Sequence, residues 1–292
     1  MNLLLAFFSA SAHSMNSISL RLYQTKLQKT AADLRLYQSL YMCLAAIAYL
    51  ILTGFSLQLD GWGLFLALCY GLDLAMTGVL VSSCYQCGPM SVTSVITNAC
   101  VALPIAVGCI FYQETMSLPQ ILGLGLLAVT FGLSGINPKE GKGAISRRWY
   151  PLVALAFVAN GMGAVLLNIY GRAAASGERN SFLAVGYFTA AVIYMGIYLL
   201  MAGKCGKTSL RGYVRPLLLV LLLTSSMGGF IGNGLLMSLN TSMPASVLYP
   251  MVNGGIGVIV AIVSHVAFRE KVTPQKLAAI LTGLGSIVLL NL

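Results

Sequence analysis

Ten apolar segments, each about 20 residues long, restrict the fold more than any other feature of this sequence. At a rise of about 1.5 Å per residue, about 20 helical residues cross the ~30 Å hydrocarbon layer of a bilayer. Only 8% of the residues are charged, whereas a soluble domain carries about 25%. The sequence therefore predicts an all-α integral membrane protein with ten transmembrane helices. The predicted segments are 2–20, 36–55, 62–82, 89–111, 118–136, 150–171, 181–202, 213–237, 244–267 and 273–291.

The basic residues alternate between the two sides of the predicted membrane. Fifteen of the 17 Lys and Arg residues fall in or beside the loops that follow segments 1, 5, 7 and 9, and the other two are Arg172 and Arg179. Cytoplasmic loops carry the excess of Lys and Arg, so we expect a multi-pass protein of the cytoplasmic membrane with both termini outside. The net charge of +10 is thereby accounted for by membrane loops, and we expect no nucleic-acid partner.

The chain contains an internal repeat. Residues 89–98 and 244–253 both read Pro-x-Ser-Val, five residues and then Asn, and both segments are followed by a glutamate, Glu114 or Glu270. We expect these glutamates to order the hairpins of segments 4–5 and 9–10. Because each half holds five segments, an odd number, the second half must cross the membrane in the opposite direction. The predicted organisation is one membrane domain, 1–292, with five-helix repeats at 1–136 and 150–292 joined by a basic linker at 137–149.

Polar residues recur at helical spacing within the repeated motif. Ser94 and Asn98 lie four residues apart in segment 4, and Tyr249 and Asn253 repeat that spacing in segment 9. Polar groups are unfavourable against lipid, so we expect both pairs to face the protein interior. They either line a substrate site or form hydrogen bonds that hold helices together, each worth about 0.6 kcal/mol.

Two ionisable residues lie inside predicted membrane helices. Asp73 is near the middle of segment 3, with Tyr70 on the same helical face. A charged carboxylate at that depth costs about 2.5–3.5 kcal/mol on insertion scales, so Asp73 is either a substrate or proton site or a protonated structural residue. His13 lies on the polar face of segment 1, and its counterpart in the second half is Asn160. A lone histidine in a helix is a candidate site residue or a structural group.

These features resemble the drug/metabolite transporter superfamily, in its ten-helix EamA-type branch. The motifs that carry the resemblance are residues 89–132 and 244–289, where a helix, a glutamate and a glycine-spaced helix follow one another twice. The resemblance covers the whole chain. It implies two inverted five-helix halves, a central cavity surrounded by helices 1–4 and 6–9, and peripheral helices 5 and 10. Relatives move amino acids, drugs, sugars, nucleotide sugars and other small metabolites.

The sequence departs from the pattern of its small relatives at one position in helix 1. Small four-helix multidrug relatives carry a proton-binding glutamate in helix 1, and His13 stands at the matching position here. Their proton mechanism therefore does not carry over, and we hypothesise that Asp73 takes that role.

The predicted function is secondary active transport, with export as the expected direction, of a small organic metabolite by alternating access. The expected partners are a small-molecule substrate, the lipid bilayer and protons as the coupling ion, in a monomer or homodimer. We expect no cofactor and no metal, because the chain lacks GxxxxGK[ST] and the CxxC of Cys84 and Cys87 lacks two further ligands nearby. The alternatives are a non-transporting scaffold or receptor, and an intramembrane enzyme using His13 with Asp73.

Overall fold

Ten α-helices make up the part of the chain that the structure, a computed structural model, describes. That part comprises residues 2–28, 30–87, 93, 96–135, 146–205, 216–268, 274–290 and 292. The prediction of an all-α fold with ten helices is confirmed over these residues. The helices are α1 Asn2–Lys26, α2 Ala31–Leu52, α3 Gly61–Cys87, α4 Ala102–Phe111, preceded by a 3₁₀ turn at Ala99–Val101, α5 Leu118–Gly135, α6 Trp149–Ala173, α7 Ser176–Cys205, α8 Pro216–Leu239, α9 Ala245–Phe268 and α10 Pro274–Leu290.

Helix α2 begins five residues earlier than its apolar pattern predicts. The hydroxyl of Thr30 accepts a hydrogen bond from the Asp33 amide (3.1 Å), and the Thr30 amide donates to the Asp33 carboxylate (2.9 Å). This reciprocal capping box satisfies two backbone donors and starts the helix before its apolar stretch. Arg35, expected in the preceding loop, therefore lies inside α2. It is buried and donates to the side chains of Gln38 (2.8 Å) and Ser82 (2.6 Å).

The surface of the bundle is apolar, as the lipid-facing surface of a membrane protein must be. Six helices, α1, α2, α3, α6, α7 and α8, are long and apolar enough to cross a membrane by length and composition. Large apolar side chains such as Phe8, Phe65 and Leu200 project outward from them. The interior, in contrast, is rich in tyrosine. The fully buried tyrosines are Tyr23, Tyr37, Tyr49, Tyr70, Tyr194 and Tyr249.

The helices pack in a regular set of pairs. Helix α1 packs on α8, α3 on α6, α2 on α7 and α5 on α10, while α9 contacts both α1 and α10. The α5–α10 pair is joined by a hydrogen bond between the hydroxyls of Thr130 and Thr282 (2.9 Å) and by one from Ser286 to the Gly123 carbonyl (2.9 Å). This pair stands beside the other eight helices, which surround the centre of the bundle.

Candidate functional site

A polar cavity of about 300 Å³ lies at the centre of the bundle. Its lining comes from the middle turns of α1, α2, α3, α6 and α7, from the last third of α8, from the first half of α9 and from the 3₁₀ turn before α4. Helices α5 and α10 contribute none of the lining residues among those described. The polar and ionisable lining residues are His13, Asn16, Tyr41, Tyr70, Asp73, Thr77, Cys100, Asn160, Tyr187, Asn233, Tyr249 and Asn253.

The cavity brings together most of the site residues that the sequence suggested. Ser94 lies outside the described residues, and Asn98 is exposed and takes no part in the lining. The predicted residues that do line the cavity are His13, Tyr70, Asp73, Asn160, Tyr249 and Asn253.

The expectation that Asn98 faces inward is wrong, because the inward face of this segment carries Thr93 and Thr97 instead. Both threonines are buried. Trp149 Nε1 donates to the Thr93 hydroxyl (2.9 Å), and Asn160 Nδ2 donates to the Thr97 carbonyl (2.9 Å). Thr93 and Thr97 lie four residues apart, as Ser94 and Asn98 do, so both pairs form a polar stripe at α-helical spacing, and the spacing alone does not tell which one faces inward. A polar stripe read at α-helical spacing therefore picked the wrong face.

Asp73 lies where α3 and α6 approach closely. A methyl group added at Gly163 of α6 would lie only 2.5 Å from Asp73 Oδ2, so the glycine makes room for the carboxylate. Within the described part of the chain, the Asp73 carboxylate has neither a hydrogen bond nor an ion pair. Thr77, one helical turn further along α3, lines the same cavity, and its buried hydroxyl has no hydrogen-bond partner among the described residues. Asp73 is thus an acidic group open to a ligand.

His13 occupies the contact between α1 and α8. A methyl group at Gly232 would lie 2.8 Å from the imidazole Nε2, so a larger residue there would displace the ring. The neighbouring Ser9 hydroxyl donates to the Gly232 carbonyl (2.9 Å) and fixes the two helices together. His13 and Asp73 line one cavity but form no hydrogen bond with each other, which gives no support to a catalytic pair.

Most of the side-chain amide and hydroxyl groups near the cavity in the second half form hydrogen bonds with other groups of the protein. Tyr249 donates to the Ala164 carbonyl (2.8 Å) and accepts from Asn240 Nδ2 (3.2 Å). Asn240 in turn accepts from Asn168 Nδ2 (2.9 Å), and Asn253 Nδ2 donates to the Tyr249 carbonyl (3.0 Å). These contacts favour a structural role for the polar groups of α9, with their remaining surfaces facing the cavity.

Several lining residues were not predicted as site residues. Asn16 and Thr77 lie on the polar helix faces of His13 and Asp73, so their positions could have included them. Asn233 interrupts the apolar pattern of α8, and its Nδ2 donates to the Tyr187 hydroxyl (2.6 Å). Tyr41 and Tyr187 could not be singled out from the sequence, because nine tyrosines of the described residues are buried and only four of those line the cavity.

Contacts around Glu114, in the connection between α4 and α5, join the end of α6 to the start of α9. The Glu114 carboxylate forms an ion pair with Arg172 at the end of α6. It also accepts from the amides of Ala245 (3.0 Å) and Ser246 (3.3 Å), which begin α9. The guanidinium of Arg172 lies 4.2 Å from the ring centre of Tyr112. Glu114 therefore joins α6 to α9 as well as ordering its own hairpin, while Glu270 lies outside the described residues.

Comparison with known proteins gives information about the fold alone. No protein-family model and no curated protein matches the chain. The fold is similar to a solved structure described only as "Crystal structure of protein", with a TM-score of 0.76. The match covers 100% of this chain and 98% of the other, at 12% sequence identity. At that identity the likeness concerns the fold alone.

Proposed function

We propose that this protein is a secondary transporter of a small organic metabolite, working in the cytoplasmic membrane by alternating access. The observation that carries the proposal is the central cavity. Most of its polar residues come from the middle turns of α1, α2, α3, α6 and α7, which are long and apolar enough to cross a membrane, so these residues lie near the depth of the bilayer midplane if the helices span it. Solute sites of secondary transporters lie at this depth, between two sets of helices that rock around them.

The pairing of the helices supports an inverted repeat of residues 1–136 and 150–292. If the halves are related by symmetry, exchanging each helix for its counterpart five helices along the chain should turn one pair in contact into another pair in contact. The pair α1–α8 then becomes α6–α3, and α2–α8 becomes α7–α3, and all four pairs are in contact. The pairs α2–α7 and α5–α10 consist of counterparts. Five helices per half make the counterparts antiparallel. On this basis we propose membership of the drug/metabolite transporter superfamily, EamA-type branch. Export, the proposed direction, follows from the resemblance to that family and not from the helix contacts.

Alternating access requires that both ends of the cavity open in turn. We assign the closure of one end to the contacts of Glu114 with Arg172 and with the start of α9, which tie α6 to α9 within about one helical turn of the lining residues Leu167 and Tyr249. In the proposed cycle these contacts break when that end opens and form again when it closes.

Asp73 is the proposed site of proton coupling. It is the one carboxylate among the described lining residues, and an acidic group that gains and loses a proton inside the cavity can couple solute movement to a proton gradient. The other titratable groups that face the cavity are His13, Tyr41, Tyr70, Cys100, Tyr187 and Tyr249.

The test combines a ligand screen with flux measurements. A thermal-shift screen of neutral, zwitterionic, cationic and anionic metabolites on the purified protein selects a ligand. Proteoliposomes then measure its flux under an imposed pH gradient. We expect wild-type flux to follow the gradient, and Asp73→Asn flux to lose that dependence. Wild-type vesicles impermeable to every bound ligand would contradict transport, whereas an Asp73→Asn protein that follows the gradient as wild type does would contradict only the coupling.

A further inference from the structure

The distribution of charge around the cavity restricts the ligand. Asp73 is acidic, and no Lys or Arg is among the described lining residues. Three basic residues lie within six positions of a lining residue, Arg21, Arg35 and Arg172, and none of them is among the described lining residues. Arg172 pairs with Glu114, and Arg35 donates to Gln38. An anionic ligand would thus meet a carboxylate without a compensating cation. A cationic ligand would instead supply the partner that a carboxylate away from water requires.

The unpaired polar atoms of the cavity suit a ligand that donates hydrogen bonds. Besides the Asp73 carboxylate, two buried oxygens of the lining have no hydrogen-bond partner among the described residues, Thr77 Oγ1 and Asn16 Oδ1. The amide oxygen and the carboxylate can only accept, and the hydroxyl can accept as well. A protonated amine carries three N–H donors and no acceptor, so it suits this set of groups. Buried polar atoms are rarely left unpaired, which makes these oxygens candidate ligand contacts.

The walls and size of the cavity favour an organic cation over a bare metal ion. Four tyrosines line it, Tyr41, Tyr70, Tyr187 and Tyr249, and aromatic rings attract cations that lie within about 6 Å of the ring centre. A volume of about 300 Å³ equals that of about ten water molecules in the liquid. The space therefore accommodates a head group beside Asp73 together with an apolar or aromatic body.

From these observations we infer that the cavity binds a monovalent organic cation, a protonated amine, with Asp73 as its counter-ion. The inference rests on the proposed function, because it names the substrate class of the same cavity. Asp73 holds the ammonium group, Thr77 and Asn16 accept its remaining hydrogen bonds, and the tyrosine rings surround the body of the molecule.

Isothermal titration calorimetry on the purified full-length protein, in an amine-free potassium phosphate buffer at neutral pH, tests the charge preference. The probes are matched triads of several sizes, for example 2-phenylethylamine, 2-phenylethanol and phenylacetate. We expect at least one amine to bind about 10- to 100-fold more tightly than its neutral isostere, as a hydrogen bond to a charged group predicts. Amines that bind no better than their alcohols, or carboxylates that bind better, would overturn the inference, as would Na⁺ binding to Asp73 with no amine binding.

Two variants and a control assign the binding to Asp73. Asp73→Asn should remove most of the preference for the amine over the alcohol, and Asp60→Asn should leave it unchanged. Asp60 Oδ1 accepts from the Gly63 amide (2.7 Å) and is not among the cavity residues, and asparagine is an equally good cap. If Asp73→Asn fails to fold, Thr77→Val provides the second test, with a several-fold fall in the same preference. An unchanged preference in either cavity variant would refute the assignment.

Vesicle uptake separates this inference from the proposed function. Proteoliposomes are given each labelled member of the triad that binds. Uptake of the amine supports both proposals. Amine binding without uptake would refute transport and leave the cation site standing, whereas uptake of the alcohol or the carboxylate in preference to the amine would refute the cation class and leave transport standing.

Discussion

The contact between Glu114 and Arg172 provides the most quantitative test of how the bundle is held together. Glu114 faces three donors at once, the guanidinium of Arg172 and the amides of Ala245 and Ser246. The first amides of a helix have no partner within the helix, and a carboxylate at this position also interacts favourably with the helix dipole. Replacing Glu114 by Gln removes the charge and leaves one acceptor oxygen for these donors.

The expected magnitude follows from burial. Breaking a fully buried ion pair costs about 3–5 kcal/mol, because the remaining charge is left uncompensated. The side chain of Glu114 is 8% exposed, but that of Arg172 is 21% exposed. Arg172 also keeps its contact with the ring of Tyr112, worth about 0.5–2 kcal/mol. We therefore expect Glu114→Gln to lower the free energy of unfolding by about 2–4 kcal/mol, and Arg172→Gln by a similar amount.

A double-mutant cycle measures the interaction itself. Reversible SDS unfolding in mixed micelles gives the free energy of unfolding for the wild type, the two single variants and the double variant. We expect the double variant to lose about 1–3 kcal/mol less than the sum of the singles. The matched control is Glu178→Gln, since Glu178 accepts from the exposed Ala175 amide (2.9 Å), its one hydrogen bond within the described residues, and the substitution should cost under about 1 kcal/mol. Additivity within about 0.5 kcal/mol would refute the proposed contact.

Three further outcomes follow from particular contacts. Gly163→Ala should displace the Asp73 carboxylate and weaken amine binding at least several-fold in calorimetry, whereas Gly125→Ala, where an added methyl group meets nothing within 4 Å, should bind as wild type does. Ser286→Ala removes the hydrogen bond to the Gly123 carbonyl and should lower stability by about 1 kcal/mol in SDS unfolding, without changing calorimetric affinity, because α10 does not line the described cavity. Reporter fusions to the C-terminus should give active alkaline phosphatase and dark green fluorescent protein, and the reverse pattern would contradict the charge-based orientation.

Asp73 and His13, which were candidate site residues from the sequence, both line the central cavity, as expected of ionisable groups that avoid lipid. Sequence-based prediction failed for Asn98, since Thr93 and Thr97 have the same four-residue spacing as Ser94 and Asn98, and helical spacing does not tell which of two polar stripes faces inward. It also missed Tyr41 and Tyr187. In a membrane bundle, an aromatic side chain suits the lipid-facing surface, the core and the cavity wall, so its position in the sequence does not distinguish them.

Apolar length was sufficient to predict the number of helices and the approximate limits of most of them, whereas segment 4, predicted as one helix, is interrupted by the 3₁₀ turn at Ala99–Val101. In hydrocarbon each segment must satisfy its own backbone hydrogen bonds, so a stretch of about 20 apolar residues has few alternatives to a helix. The partners of Glu114 could be identified only from the folded structure. They lie 58 and 131 residues away along the chain, in α6 and α9. A glutamate after an apolar segment can cap its own hairpin or reach another helix, and only the packing of α4, α6 and α9 selects between these contacts.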